Sequence, residues 1–227
     1  TNNFIPNPYD FYFINGFFFC VSLYGDTVIR SSDGISWTPI NGIACWPYEV
    51  GQGTSFDSSL VFPTTSAYLR SIDNGLTWTK TALKPNNSFD YAWYSCAAGD
   101  GKIVLVANGG YEGNVNSSTA VTTDFVNWSY GRMPTRNGWS YTVYHPVAKK
   151  FFSIAYDQLN TGLVASSSDG LTWSMESPPI GYLFPSPSTI KYSNGLVIVG
   201  SEQRPYPRGQ VAVSSGDGKW QIIMVSE

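Results

Sequence analysis

Carboxylates recur in the connecting segments of this 227-residue chain, between its apolar runs. Two such groups can perform general acid–base chemistry, because one carboxylic acid protonates a leaving group while the other carboxylate activates water or attacks directly. A separation of ~5 Å would favour a retaining glycoside hydrolase, and one of ~6.5–9.5 Å an inverting enzyme. The residues that could supply this pair are Asp26, Glu49, Asp90, Glu112, Asp157 and Glu202.

Aromatic side chains stand in the same connecting segments. Four recur at one position of a repeat, and these are Trp46, Trp93, Trp139 and Phe184. Three tyrosines and one arginine occur there without repeating, and these are Tyr111, Tyr156, Tyr206 and Arg204. Rings beside amide, carboxylate and guanidinium groups suit carbohydrate recognition, because sugar C–H faces stack on rings while hydroxyls form directional hydrogen bonds. The same groups would suit a protein epitope.

The four repeating aromatics have an alternative, structural interpretation. A residue that recurs in nearly every repeat can serve the fold itself, by wedging adjacent repeats apart or by plugging a central tunnel. The non-repeating Tyr111, Tyr156, Tyr206 and Arg204 are therefore the better ligand candidates, because the symmetry of the fold does not require them.

Other chemistries find little support in the sequence. His145 is the only histidine and lies in a predicted turn, so the connecting segments contain no base for a Ser-His-Asp triad. The three cysteines, Cys20, Cys45 and Cys96, include no closely spaced pair that could bind a metal. We predict no metal and no cofactor, and we expect Cys20 and Cys96 to be buried within strands. The net charge of −3 argues against a nucleic-acid partner. No apolar run approaches the ~18 residues that membrane insertion requires.

The elements that must position these residues repeat along the chain. Five tryptophans, each closing a short turn, follow one another at intervals of 41, 50, 45 and 47 residues: Trp37, Trp78, Trp128, Trp173 and Trp220. A period in the forties, in a chain rich in turns and β-branched residues, predicts an all-β, five-bladed β-propeller with four antiparallel strands per blade. We predict a single domain over residues 1–227, with blades at about 9–40, 48–81, 93–131, 139–176 and 187–225.

Strand direction alternates within such a blade, which sorts the connections into two groups. The turns between strands one and two, and between strands three and four, share one end, which we call the turn end. The connections between strands two and three, and those between blades, share the opposite end, which we call the loop end. The six carboxylates and the aromatic residues described above all fall at the loop end, where binding residues are commonly found.

A short polar motif fills the predicted turn between strands three and four. Its fullest form is Ser71-Ile72-Asp73-Asn74-Gly75-Leu76-Thr77-Trp78, with variants at 31–37, 123–128, 167–173 and 215–220, of which 123–128 lacks the glycine. The serine and aspartate can hydrogen-bond the turn backbone, the glycine supplies a positive φ, and the tryptophan covers the hairpin. One short carboxylate per turn offers too few ligands for calcium, so the motif predicts a structural role.

This motif resembles the Asp-box, or BNR repeat, of sialidases and other propellers, and the resemblance covers all five repeats. The forms at 31–37 and 167–173 are most similar to propellers of bacteriophage tail and virion proteins and of photosystem II assembly-factor-like proteins. In that family the motif lies away from the active site, so it implies architecture more than activity. The likeness to sialidases is distant, because this chain lacks their Phe/Tyr-Arg-Ile-Pro motif and predicts five blades where they have six.

The resemblance and the loop-end residues together imply a non-catalytic binding module of a phage virion or tail. We expect it to recognise cell-surface carbohydrate or a protein receptor, to contact other virion proteins, and to act in several copies within a larger assembly. The expected location is the virion or another extracellular setting. Two alternatives remain, which are a glycoside hydrolase using two of the six carboxylates and a structural propeller that binds only protein.

Overall fold

The computed structural model describes residues 8–22, 28–40, 51–83, 92–108, 118–156, 162–176, 187–201 and 210–224. Twenty strands run through these ranges and form five sheets of four strands each. Each sheet follows chain order from its first strand to its fourth, and the pairings are antiparallel. The predicted all-β class with four antiparallel strands per repeat is confirmed. In the ranges given above, no helix has the length and hydropathy needed to cross a bilayer.

The five sheets are numbered in chain order. Sheet 1 contains β1 (Pro8–Ile14), β2 (Phe17–Ser22), β3 (Val28–Ser31) and β4 (Thr38–Ile40). Sheet 2 contains β5 (Thr54–Phe56), β6 (Ser59–Thr64), β7 (Ala67–Ser71) and β8 (Thr79–Ala82). Sheet 3 contains β9 (Ala92–Gly99), β10 (Lys102–Asn108), β11 (Ser118–Thr122) and β12 (Ser129–Arg132). Sheet 4 contains β13 (Tyr141–His145), β14 (Lys150–Tyr156), β15 (Gly162–Ser167) and β16 (Ser174–Met175). Sheet 5 contains β17 (Pro187–Ser193), β18 (Leu196–Ser201), β19 (Gln210–Ser214) and β20 (Gln221–Met224).

The chain forms two compact units, Thr1–Cys96 and Ala97–Glu227. Unit 1 holds sheets 1 and 2 together with the first residues of β9. Unit 2 holds the rest of sheet 3 and all of sheets 4 and 5.

The turns between first and second strands follow from their residues. Three are two-residue turns that pair Asn or Asp with Gly at φ angles between 49° and 80°, and they are Asn15-Gly16, Asp100-Gly101 and Asn194-Gly195. Positive φ at both positions gives the two-residue hairpin turn that matches the twist of the strands, and Asn-Gly and Asp-Gly pairs favour that turn. In sheet 2, Asp57 and Ser58 take φ angles of 47° and 57° without a glycine.

Apolar side chains at alternating strand positions build one core in unit 1. Tyr12 and Phe19 of sheet 1 pack against Leu60 and Phe62 of sheet 2 in one cluster. The rings of Tyr12 and Phe62 meet edge to face with centroids 5.3 Å apart. Burial of each such side chain stabilises the fold by roughly 1.5–3 kcal/mol, so the two sheets of this unit depend on one another.

Unit 2 contains two such cores, one on each side of sheet 4. Phe151 and Trp173 of sheet 4 pack with Val104 of sheet 3. On the opposite side, Phe152 of sheet 4 packs with Ile190 of sheet 5. The central strand β14 is therefore buried on both of its faces, from residue 151 to residue 155.

Cys20 and Cys96 are buried within strands β2 and β9, as the sequence predicted. Burial raises the pKa of the Cys96 thiol far above its usual range. The Cys96 Sγ lies 3.2 Å from the carbonyl oxygen of Gln52 and 3.6 Å from that of Val61. Cys96 is therefore a small buried residue with an engaged S–H and not a nucleophile.

Deleting residues 1–14 should abolish the cooperative melting transition. The deletion removes β1, which pairs with β2 and contributes Tyr12 to the core of unit 1. Thermal melts followed by circular dichroism test this expectation, with a chain lacking only residues 1–7 as the control because it keeps β1. A 1–14 deletion that still melted cooperatively near the wild-type temperature would show that β1 is dispensable.

Candidate functional site

The turn between the third and fourth strands of each sheet is built by its own polar side chains. We call these the Trp-closed turns, and they span residues 31–37, 71–78, 122–128, 167–173 and 214–220. In the second, Ser71 Oγ accepts the backbone N–H of Gly75 at 2.8 Å and donates to Asp73 Oδ1 at 2.7 Å. Asp73 Oδ1 accepts the N–H of Thr77 at 2.9 Å, and Asp73 Oδ2 accepts the Thr77 hydroxyl at 2.6 Å. Both carboxylate oxygens are thus used inside the turn.

Neighbouring N–H groups keep the turn carboxylates ionised. Hydrogen bonds from the N–H groups of Ser36 and Ile35 lower the pKa of Asp33 to about 2. The hydroxyl and N–H of Thr77 lower the pKa of Asp73 to about 2 as well. The N–H of Asn127, with its side-chain amide, lowers the pKa of Asp124 further. Carboxylates ionised at neutral pH and already engaged are unsuited to act as general acids.

The tryptophan of each turn completes it. Trp78 Nε1 donates to the Gly75 carbonyl at 3.1 Å, and Trp37 and Trp173 repeat this bond with Gly34 and Gly170. The fifth turn differs, because Trp220 Nε1 donates to Glu176 Oε2 of the segment after β16 at 3.3 Å. The tryptophan of sheet 5 is thereby tied to sheet 4 by a side-chain bond.

Two turns begin one residue earlier than the sequence predicted. In the third, Thr122 takes the place of the opening serine, and its Oγ1 accepts the N–H of Phe125 at 3.0 Å. Phe125 occupies the position of the missing glycine with a φ of 61°. In the fifth, Ser214 Oγ accepts the N–H of Gly216 at 3.1 Å, so Ser214 and not Ser215 opens the turn. A hydroxyl at the end of the third strand is therefore common to all five turns.

The glycines of three Trp-closed turns lie directly against the preceding sheet. A Cβ added at Gly75 of sheet 2 would stand 2.6 Å from Phe19 of sheet 1. One added at Gly170 of sheet 4 would stand 2.5 Å from Val104 of sheet 3, and one at Gly216 of sheet 5 would stand 2.6 Å from Ala148 of sheet 4. These positions need glycine for space as well as for positive φ.

Two of the repeating aromatics are buried structural residues. Trp93 lies within strand β9, not in a connecting segment as the sequence spacing suggested. Its ring is 1% exposed, and its Nε1 donates to the Leu83 carbonyl at 2.8 Å. Trp139 is 0% exposed, packs between residues of sheets 3 and 4, and donates to the Thr135 carbonyl at 3.3 Å. Neither ring offers a face to a ligand, in keeping with the wedge interpretation.

The remaining candidate residues have side chains outside the described residues. They are Trp46, Phe184, Tyr111, Tyr206 and Arg204, the side chain of Tyr156 at the end of β14, and all six carboxylates named for acid–base chemistry. Only the ends of the strands that these segments join are described, and those strand ends lie opposite the first-to-second and third-to-fourth turns of their sheets.

Two sheets have, at the loop end, buried polar atoms that find no hydrogen-bond partner among the described residues. Thr119 Oγ1 lies at the second residue of β11, just after the connection 109–117, and Gln210 Oε1 lies at the first residue of β19, just after the connection 202–209. A third such atom is Thr135 Oγ1, in the connection between sheets 3 and 4. Sequence reasoning missed these residues, because threonine and glutamine in a strand carry no pattern that predicts an unfilled hydrogen bond.

His145, the single histidine of the chain, is fully engaged at the turn end. Its Nδ1 accepts the N–H of Ala148 at 3.1 Å, so the proton is on Nε2, which donates to the Gly195 carbonyl at 3.1 Å. The ring is 1% exposed. Within the described ranges, no three His, Cys, Asp or Glu side chains come together in a way that could hold a metal ion.

An open groove of about 510 Å³ lies at the turn end of unit 1. Its lining is mostly polar and comes from the turns of sheets 1 and 2, with Asn15, Ser55, Asp57, Ile72 and Asn74 among the residues. The groove is a second polar surface that a ligand could use, so substitutions there can serve as a control for substitutions at the loop end.

Comparisons with known proteins show the fold and leave the activity open. No family model matches the chain, and no curated protein matches it. Virginiamycin B lyase from Staphylococcus aureus is similar in structure, with a TM-score of 0.68 at 13% identity over 98% of this chain and 71% of the lyase. The Pan2 WD40 domain of Neurospora crassa gives 0.60 at 11% identity over 91% of this chain and 62% of that domain. A luciferin-regenerating enzyme gives 0.65 at 10% identity over 92% and 72%.

These likenesses confirm a five-bladed β-propeller whose blades each have four antiparallel strands. At such low identity they show the fold alone, and the names of the similar proteins cover lyases, a WD40 domain and a luciferin-regenerating enzyme. Function must therefore be argued from the residues of this chain.

The Trp-closed turns should make the protein sensitive to acid. In the folded state the pKa of Asp73 is lowered from 3.8 to about 2. The stability that the ionised carboxylate contributes is therefore fully present above pH 3.8, the pKa of the group in the unfolded chain, and it is lost as the pH falls through about 2. Asp73→Asn should be less stable than wild type at neutral pH, and the difference should shrink between pH ~4 and ~2. Denaturant unfolding across this range measures it, with Asp57→Asn outside the Trp-closed turns as a charge-matched control. A difference that stays constant down to pH ~2 would contradict the role of the ionised carboxylate.

Two glycine substitutions should separate backbone strain from packing. Gly101 and Gly170 have φ angles of 71° and 79°, but nothing lies within 4 Å of a Cβ at Gly101, whereas one at Gly170 meets Val104 and Val121. Gly101→Ala should cost ~1 kcal/mol from the positive φ alone. Gly170→Ala should cost ~1–3 kcal/mol more because of the clash. Equal losses of unfolding free energy for the two variants would rule out close packing of the fourth Trp-closed turn against sheet 3.

Proposed function

We propose that this protein is a non-catalytic binding module, a propeller of a bacteriophage virion or tail that attaches to cell-surface carbohydrate through its loop end. The repeated polar residues of the turn end already form hydrogen bonds within their own turns, as Asp73 does with Thr77. Recognition is therefore left to the non-repeating residues that the sequence supplies at the loop end, which are Tyr111, Tyr156, Tyr206 and Arg204.

The observation that carries this proposal is a pair of polar atoms at the loop end that find no partner in the described part of the chain. Thr119 Oγ1 and Gln210 Oε1 are buried at the starts of β11 and β19 and have no hydrogen-bond partner among the described residues. Leaving such a group unpaired costs roughly 1–3 kcal/mol, so these positions favour bound water or a ligand that brings hydroxyl groups. Hydroxyl-rich sugars match this need, and the tyrosines and arginine that the sequence supplies in the connecting segments would match their C–H faces and ring oxygens.

A lyase activity is less well supported. One solved lyase structure is described as a catalytically inactive variant in which a histidine is replaced by alanine. His145 is the only histidine here, it lies at the turn end, and both of its ring nitrogens are already bonded. It is therefore not placed to act as an acid or base on a ligand at the loop end.

Protein binding through the sheets is the second candidate function. A WD40 domain, whose propeller class commonly mediates protein–protein interactions, is among the similar structures. In this chain, the observation that favours such binding is a set of exposed apolar side chains in the turns that join the strands of sheets 1 and 2, at Ile35, Ile72 and Leu76. Exposed apolar side chains of this kind can form a surface for contact with another protein.

A glycan array tests the carbohydrate proposal. The wild-type chain should bind at least one class of glycan, and a Tyr111→Ala/Tyr156→Ala/Tyr206→Ala variant should lose at least ~10-fold in affinity, because sugar stacking on the rings is removed. Any glycan that binds is then incubated with the protein, and its hydrolysis would support the glycoside hydrolase instead.

The matched control is Ser55→Ala/Ile72→Ala, which alters the groove at the turn end and leaves the loop end unchanged. We expect this variant to bind like wild type. If the control variant lost glycan binding and the tyrosine variant kept it, the glycan would bind in the groove and not at the loop end. A folded wild-type chain that binds no glycan would overturn the carbohydrate proposal.

A further inference from the structure

Asparagine directly followed by glycine is a chemically reactive pair. The main-chain nitrogen of the glycine can attack the side-chain amide carbon of the asparagine, and the glycine has no Cβ that would crowd this nitrogen. Four such pairs lie wholly within the described ranges, and they are Asn15-Gly16, Asn74-Gly75, Asn137-Gly138 and Asn194-Gly195. Because the reacting groups are the same in all four, the fold decides which pair reacts.

The reaction proceeds through a cyclic imide. The glycine nitrogen loses its proton and bonds to the asparagine Cγ, and the side-chain nitrogen leaves as ammonia. Water then adds to one of the two imide carbonyls and opens the ring. One opening gives aspartate, and the other gives isoaspartate, whose main chain runs through the former side-chain methylene. One water is consumed and one ammonia is released, and the product is a carboxylate that is ionised at neutral pH.

Two structural conditions control the attack. The glycine N–H must be free of a hydrogen bond, because its proton is lost and a bond that holds it must first be broken. The peptide group between the two residues must also be able to turn, so that the nitrogen can reach the Cγ atom. A pair that is held at either point reacts only when the turn opens.

Asn74-Gly75 fails both conditions. The Gly75 N–H donates to Ser71 Oγ at 2.8 Å, and the Gly75 carbonyl accepts the Trp78 Nε1–H at 3.1 Å. Gly75 is buried, and a Cβ there would stand 2.6 Å from the Phe19 ring. The second Trp-closed turn must therefore open before this pair can react.

Two further pairs are each held at one carbonyl. The Asn137 carbonyl, which belongs to the peptide group that would have to turn, accepts the Trp139 N–H at 2.9 Å. The Gly195 carbonyl accepts the Nε2–H of His145 at 3.1 Å. These bonds restrain both pairs, although less completely than the second Trp-closed turn restrains Gly75.

Asn15-Gly16 meets both conditions. Both residues are exposed, and they form the two-residue turn between β1 and β2 with φ angles of 52° and 79°. The flanking Ile14 and Phe17 pair with each other across the hairpin. No described residue bonds the Gly16 N–H, and nothing lies within 4 Å of a Cβ placed at Gly16. The peptide group of this turn can therefore move without displacing a neighbour.

We propose that Asn15 is a site of spontaneous deamidation in the folded protein, through attack by the Gly16 nitrogen. The fold accommodates the aspartate product, because Asp100-Gly101 forms the same turn in sheet 3 with φ angles of 49° and 71°. The isoaspartate product adds a main-chain atom to a turn that must still connect Ile14 to Phe17. It therefore disturbs the pairing of β1 with β2, which the aspartate product leaves intact.

Deamidation at Asn15 also changes the charge of the groove at the turn end. Asn15 and Asp57 both line this groove, and Asp57 supplies the single carboxylate of its described lining. In sheet 3 the Asp100 carboxylate lies 3.0 Å from the Lys102 ammonium, but the equivalent residue of sheet 1 is Phe17. The new carboxylate thus adds negative charge to the groove without a matching cation from its own hairpin.

Peptide mapping by mass spectrometry tests the proposal on the purified chain. The folded protein is incubated at mildly alkaline pH, digested at intervals, and the deamidated fraction is measured at each asparagine. Asn15 should convert at least ~10-fold faster than Asn74, because the bonds of Gly75 must break first. Isoaspartate should appear beside aspartate, since both arise from the imide. A folded protein in which Asn15 converts no faster than Asn74, or gives aspartate alone, would overturn the proposal.

Two controls separate the fold from the local sequence. In a chain unfolded by urea, Asn15 and Asn74 should convert at similar rates, and a difference that persisted there would show that the turn geometry is not its cause. Gly16→Ala should slow conversion at Asn15 at least ~10-fold and leave Asn194 unchanged, because the added methyl group crowds the attacking nitrogen. This variant has open space at Gly16 and should fold. An unchanged rate at Asn15 in Gly16→Ala would contradict attack by this nitrogen.

Discussion

The close packing of a Trp-closed turn against the preceding sheet is the constraint on which the rest of this structure depends. Gly170 shows why the motif has its composition, because the position demands both a positive φ and space within 2.5 Å of Val104. The aspartate serves this contact indirectly, since its oxygens hold the N–H groups that would otherwise point outward unpaired. The second, fourth and fifth turns thus close their own hairpins and fasten them to the preceding sheet.

Much of the architecture could be predicted from the sequence, because these turns have strict local requirements. The intervals between Trp37 and Trp220 identified five repeats, and the conformational preference of Asn15-Gly16 agrees with the tight hairpin turn found there. The assignment of Trp93 to a connecting segment was wrong, because spacing locates a residue along a repeat without locating the end of a strand. Phe125 adopts the glycine conformation through its buried ring and the Thr122 bond, which are tertiary effects.

The candidate site could be predicted only in outline, for a physical reason. Repetition distinguishes the residues that build the fold, and the bonds of Asp33 and Asp73 agree with that interpretation. Ligand recognition depends on residues that do not repeat, and for these a single sequence offers residue types without geometry. Thr119 and Gln210 illustrate the limit, because their lack of a hydrogen-bond partner among the described residues depends on which atoms surround them in space.

The buried thiol of Cys96 provides a built-in reporter on unit 1. Its sulfur lies against the carbonyls of Gln52, which precedes β5, and of Val61 in β6, while its own strand begins sheet 3. A thiol reacts as the thiolate, and burial disfavours that form here, so alkylating reagents can modify Cys96 only when this part of the protein opens. The rate at which Cys96 is alkylated then measures the rate of local opening, and the natural protein needs no added label for this measurement.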